Sequence, residues 1–237
     1  MSVIAVRALT ADDAAWAAGL MERRRQLYAG YSPVFWRPRP GVTGPHARFL
    51  GRQLSSPGYL ALRTEHGFLI GQRRDQEAFV DDFAVDETAR WDADGATLLL
   101  SAWRSWTADG LDAVRVVTAH ADEDKCAMLA ALNLELTGQW WVRALLPAGE
   151  RPAGQVTGTG FAGLLGPAPP VYDPGGPVLL VSDLTGDADL ADVEREAATM
   201  GAVLLIVPAA PGSSRSERLA SRPGWTVASD WYLGRPA

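Results

Sequence analysis

The chain has 237 residues and a formal net charge of −6, with 47% hydrophobic and 21% charged residues. That composition excludes a disordered tail and a collagen-like rod, and the single cysteine, Cys126, excludes an internal disulfide. No basic patch dominates, so no nucleic-acid partner is expected. No apolar run reaches membrane-spanning length and the N-terminus lacks a basic-then-apolar leader, so no membrane association and a cytoplasmic location are expected. No Cys/His cluster suits a metal.

In chain order, Val3 to Leu9 reads as a strand, and Thr10 with Asp13 reads as a capping box opening a helix. Trp16, Leu20, Arg24 and Leu27 share one face of that helix, while the triplet Arg23-Arg24-Arg25 reads as a solvated helix face. A four-proline loop, Ser32 to Pro45, precedes a second helix, Pro45 to Leu54. Tyr59 to Thr64, Gly67 to Gln72 and Ala78 to Val85 read as an antiparallel meander, with turns at Glu65-His66-Gly67 and Asp75-Gln76. Then follow a helix (Ala96 to Ala108), a strand (Ala113 to Thr118), a helix (Glu123 to Leu132) and two short strands hinged at Gly138.

From Pro147 to Pro177, 15 of 31 residues are Gly or Pro, which predicts a linker. Beyond it the order strand, helix, strand, helix, strand returns: Val178 to Leu184, Asp187 to Met200, Ala202 to Val207, Ser213 to Ala220 and Trp225 to Leu233. The same order runs from Phe79 to Arg143, and Gln139-Trp140-Trp141 parallels Asp230-Trp231-Tyr232. The C-terminal unit therefore reads as a duplicated half-domain with no counterpart to residues 1–78. Three parts are expected: 1–146, a linker at 147–176, and 177–237. Gly158-Thr159-Gly160-Phe161-Ala162-Gly163 spells a dinucleotide fingerprint, but no helix can follow it, so it is dismissed.

The chemically informative stretch is Val80-Asp81-Asp82-Phe83-Ala84-Val85 and the residues up to Leu99. A strand end, a loop carrying an arginine and a helix N-terminus together form an anion site. The chain here resembles the GNAT superfamily of acetyl-CoA-dependent N-acetyltransferases, whose loop reads Q/R-x-x-G-x-G/A before a helix with paired leucines. Val85, Arg90, Ala93, Gly95, Leu98 and Leu99 stand at those positions, and Gly71 lies where the family's third strand often carries glycine. The resemblance covers about residues 1–146 and weakly the C-terminal copy. It implies an α/β (α+β) fold: a mixed, mostly antiparallel sheet flanked by helices, plus a smaller C-terminal α/β half-domain.

The resemblance also implies acetyl-CoA as co-substrate. Its pyrophosphate would rest on the amides of Arg90, Trp91, Asp92, Ala93, Asp94, Gly95 and Ala96. Its pantetheine arm would lie between the strands ending at Val85 and Thr118, against the backbone of Phe83, Ala84 and Val85. The acceptor would be a primary amine of a small molecule or peptide, and a homodimer is left open. Asp81 matches the first member of the acidic pair of diamine acetyltransferases and would be the general base; Asp82 is the alternative, because neighbouring strand residues face opposite sides. The family's tyrosine acid falls on Leu129, four before Asn133, leaving His120 as substitute. Tyr28, Tyr31 and Trp36 could line the acceptor pocket. Ala93, Asp92 and Asp94 depart from the phosphate motif and, with Leu129, point to the alternative of a catalytically degenerate GNAT acting as a ligand-binding or interaction module.

Overall fold

The computed structural model describes residues 4–186 and 188–235. The chain divides into two compact units: residues 1–27, 40–137 and 231–237, and residues 28–39 and 138–230. This division differs from the expected cuts at 146 and 177. The loop after the first helix belongs to the second unit, and the chain's end belongs to the first.

The first unit begins with β1 (Arg7–Ala8) and a 3₁₀ turn (Ala11–Asp13) leading into α1 (Ala14–Tyr31). The expected capping box forms: the Thr10 N–H donates to Asp13 Oδ2 at 3.0 Å. Arg7 and Arg63 converge on the same carboxylate at 2.9 and 2.7 Å, holding its pKa well below the ordinary value, with the Arg7 hydrogen bond the largest cause. After α2 (Thr43–Leu54) come β2 (Tyr59–Arg63), β3 (Gly67–Arg74) and β4 (Glu77–Val85), then α3 (Ala96–Ala108), β5 (Ala113–Ala119), α4 (Glu123–Ala131) and the start of β6 (Glu135–Ala144), most of which belongs to the second unit. The hinge expected at Gly138 is absent; β6 runs through it. Strand order in this unit is β1-β2-β3-β4-β5, antiparallel except for the parallel β4/β5 pair.

One side of this sheet packs Leu69, Val80 and Phe83 with Leu98, Leu99, Trp106 and Leu129. The other packs Phe68, Ile70 and Ala84 with Ala17, Leu20 and Leu50 of α1 and α2. Gly71 is a packing glycine, since a Cβ there would sit 2.2 Å from the Trp106 ring.

The second unit holds β7 (Gly154–Gly158), β8 (Phe161–Gly166), β9 (Val178–Leu184), α5 (Leu190–Thr199), β10 (Leu204–Ala209), α6 (Ser214–Ala220) and most of β11 (Thr226–Gly234). The stretch expected to be a linker therefore carries a β-hairpin. The glycine fingerprint is that hairpin's turn: Gly158 pairs with Phe161 and Gly160 has φ +77°. It follows β7 but leads into β8 rather than a helix. Strand order is β6-β10-β9-β8-β7, with β9 and β10 parallel.

The β7–β8 hairpin gives this unit a counterpart to part of the N-terminal meander, which the sequence reading denied it. In each unit an antiparallel hairpin leads into a parallel strand pair joined through a helix. The β10 residues Leu204, Leu205, Ile206 and Val207 are buried, as their unbroken apolar run predicts. Asp189 caps α5, accepting the Ala191 N–H at 2.8 Å; Asp187, where this helix is expected to begin, lies outside the described residues.

Candidate active site

The two carboxylates of β4 sit on a bulge. Leu69 opposes Phe83 and Gly71 opposes Val80, so Ile70 alone faces both Asp81 and Asp82. A bulge breaks the strict alternation expected for neighbouring strand residues and re-aims their side chains. Asp82 Oδ1 lies 3.5 Å from Nε2 of His46, and Asp81 is close enough for His46 to act on it electrostatically. β9 carries a matching irregularity at Ser182, between Val181 and Asp183.

Asp81 is solvent-exposed, yet its carboxyl is pushed from the ordinary 3.8 up to about 6. The largest cause is its setting among protein atoms that thin the bulk water around it, followed by repulsion from Asp82. Lys125, Arg74 and His46 pull the other way.

Behind Asp82 runs a chain of polar groups that the sequence did not disclose. His46 is buried; its Nδ1 lies 3.3 Å from Nη1 of the buried Arg25. A guanidinium can only donate, so in the neutral ring Nδ1 accepts and the proton sits on Nε2, facing Asp82. Arg25 also meets Glu22 at 3.3 Å, and Glu22 accepts from Thr43 at 3.0 Å. The Arg23-Arg24-Arg25 triplet is thus no solvated face: Arg24 and Arg25 are both buried.

β4 and β5 pair in parallel from Glu77↔Ala113 to Val80↔Val116, where the register ends. This is the parting of strands expected to receive the pantetheine arm. The first carbonyl beyond it, that of Val117, accepts from Lys125 Nζ at 3.1 Å. Lys125 is the chain's only lysine and is buried. Its ammonium lies 5.1 Å from the centre of the Phe83 ring and 5.2 Å from that of Trp91, and those rings meet edge to face at 4.8 Å. Arg24 stacks on the other part of this cluster, 4.7 Å from Trp91, and forms a buried ion pair with Asp122.

The segment expected to cradle an anion, Arg90 to Ala96, is helical, and three of its seven amides are engaged by backbone carbonyls. Thr88–Arg90 is a 3₁₀ turn and Trp91–Gly95 a π turn, continuous with α3. The amides of Arg90, Trp91 and Ala96 are consumed by the carbonyls of Glu87, Thr88 and Trp91, so they do not converge on an anion. The Arg90 side chain lies between Asp86 at 3.3 Å and the buried Asp94 at 3.5 Å, which neutralise the charge a phosphate would use. Asp92 and Ala93 complete the π turn. Gly95 has ordinary helical angles; a Cβ there would lie 2.5 Å from the Trp91 ring, so this glycine serves the tryptophan. The buried Trp91 indole N–H has no acceptor among the described residues.

Phe83, Ala84 and Val85 pair with Leu69, Phe68 and Gly67 on the β3 side. His120 is exposed on the turn after β5, where its carbonyl lies 3.9 Å from Cys126 Sγ. Leu129 is fully buried in the α3–α4 core and Asn133 takes φ +60°, which Asn tolerates in place of glycine. Tyr28 and Trp36 are buried in an aromatic cluster with Tyr31, Phe35 and Tyr172.

No family model and no curated protein matches the chain. Solved structures do. A Thermoplasma acidophilum protein thought to be an acetyltransferase aligns over 98% of this chain and 100% of its own, at TM-score 0.65 and 9% identity. A GCN5-related N-acetyltransferase from Sphaerobacter thermophilus aligns over 99% and 96%, at TM-score 0.57 and 11% identity. A tandem GNAT protein from the clavulanic acid biosynthesis pathway aligns over 99% and 100%, at TM-score 0.50 and 12% identity. The chain has the GNAT fold, a mixed and mostly antiparallel sheet flanked by helices. At these identities the likeness is one of fold.

Proposed function

We propose that the first unit transfers acetyl from acetyl-CoA to a primary amine of a small molecule or peptide by direct attack, with Asp81 as general base. The observation that carries this reading is the accessible Asp81 carboxylate, raised to about 6, on the bulge where β4 and β5 part. An ammonium acceptor must lose a proton before its nitrogen attacks the thioester carbon. Asp81, largely ionised at neutral pH yet more basic than an ordinary aspartate, is suited to take that proton. The carbon–sulfur bond then breaks and CoA leaves as thiolate, with His120 the candidate to protonate it.

In this reading, acetyl-CoA lying along the strand parting displaces the Lys125–Val117 hydrogen bond and the Trp91–Phe83 contact. Losing that packing and hydrogen bond costs about 3–5 kcal/mol. A loss of that size turns a micromolar donor site into a roughly millimolar one. A second reading, a non-catalytic GNAT-fold module, is favoured by the buried, mutually paired groups beside the strand parting: Trp91, Lys125, Arg24 and Asp122.

Acetyl transfer to a panel of amines, followed by free-thiol release, separates the two. The enzyme reading expects turnover that Asp81→Asn lowers by ~10²-fold or more. Absence of turnover with every amine, in wild type and in a groove-opened Trp91→Ala variant, would leave the module reading standing.

A further inference from the structure

A cavity of about 360 Å³ lies within the second unit, walled by the loop after α1, the end of β8 and the segment leading to β9. That volume is in the range of small-molecule sites. Two guanidinium groups, Arg39 and Arg151, line it, and neither has an ion-pair partner among the described residues. The one carboxylate in the wall, Asp173, has an oxygen engaged by the Gly175 N–H at 3.1 Å. The wall thus carries a net positive charge in a chain whose net charge is −6. The rest is apolar and stiff: Leu165, the Tyr172 ring and the three prolines Pro167, Pro174 and Pro177.

The cavity is held in shape before any ligand arrives. The Arg39 N–H donates to the Val171 carbonyl at 3.0 Å and the Asp173 N–H to the Arg37 carbonyl at 2.9 Å. Pro38 bridges to Tyr172, and the Arg37 side chain donates to the Asp173 carbonyl. Tyr172 is braced by Trp36 at 5.2 Å, whose indole N–H donates to the Ala228 carbonyl at 2.9 Å. Two arginines on such walls match the planar oxygens of a carboxylate or phosphate, and a wall shaped before the ligand arrives lowers the entropy lost on binding.

We propose that this cavity binds a small organic anion, a carboxylate or phosphate head on an apolar body. Its volume is about a dozen times the roughly 30 Å³ that one water takes up in the liquid, room for a small organic molecule. The head lies between Arg39 and Arg151, and the body rests on Leu165 and the prolines.

Isothermal titration with benzoate and with phenyl phosphate, using benzamide as the neutral control, tests this on the full chain. At least one anion is expected to bind ~10-fold or more tightly than benzamide, and more weakly at high salt. Benzoate alone marks a carboxylate site; phenyl phosphate alone marks a phosphate site. Arg39→Gln and Arg151→Gln, both exposed positions, should each weaken binding ~10-fold with the fold intact by circular dichroism, while Asp173→Asn tightens it. Failure of both anions to bind at millimolar concentration, binding equal to benzamide's, or indifference to both arginine variants would overturn the proposal.

Discussion

Gly95 and Trp91 are a fitted pair: the indole ring lies where a Cβ on Gly95 would stand, 2.5 Å from the nearest ring carbon. The glycine that matches an acetyl-CoA motif by position is required here by an aromatic side chain. Gly95→Ala should therefore cost about 1–3 kcal/mol by overpacking. The same change in a Trp91→Ala background should cost almost nothing. Denaturant unfolding of the four proteins of this cycle checks it; equal costs in both backgrounds would separate the two residues.

Arg24 and Asp122 are both buried, so each compensates the other's desolvation. Removing one partner, as in Arg24→Met or Asp122→Leu, should destabilise by about 3–5 kcal/mol, whereas the double substitution should recover most of the loss. Thermal unfolding of the single and double variants reads this directly.

Asp81 titrates above its unfolded value, so the folded state holds its proton to higher pH than the unfolded state does. Between the ordinary 3.8 and about 6, its contribution to stability therefore falls as pH rises. Asp81→Asn should leave the protein more stable than wild type at neutral pH and remove that slope. Asp82→Asn should bring the Asp81 carboxyl down, because a repelling neighbour is gone. Carboxyl carbon shifts followed by NMR across this window measure both effects.

The patterned elements were legible in the sequence. α3 and β9 fall where the apolar spacing puts them, and the Asp75-Gln76 turn forms with Asp75 at φ +53°. The site was legible only in part. Asp81 and Asp82 stood out, but the bulge beneath them depends on pairing with β3, and His46 has no neighbour in sequence that announces Asp82. Arg24 did carry a signal, since it shares a helix face with Trp16 and Leu20; its partner Asp122 lies far along the chain. Trp91 was a second signal, a large ring in a loop where a phosphate cradle needs small residues. The β7–β8 hairpin was masked by its glycines, although Phe161, Gly163 and Leu165 alternate inward with an exposed Leu164.

The end of the chain completes the first unit. Tyr232 is buried with Leu98, Leu99 and Leu129, Trp231 packs on Phe79 at 5.9 Å, and Gly234 lies against Trp103. A fragment ending at Leu146 lacks all three and should be poorly soluble. Tyr232→Ala in the full chain should cost about 3 kcal/mol. A soluble, cooperatively folding 1–146 fragment would contradict this.

The most direct measurement is titration of CoA into wild-type protein and into Trp91→Ala. If the groove is an acetyl-CoA site closed by its own tryptophan, wild type should bind weakly, near millimolar. Trp91→Ala should then bind at least ~10-fold more tightly, at one CoA per chain, because the ring no longer has to leave. No binding by either protein, or equal affinity in both, would contradict that account.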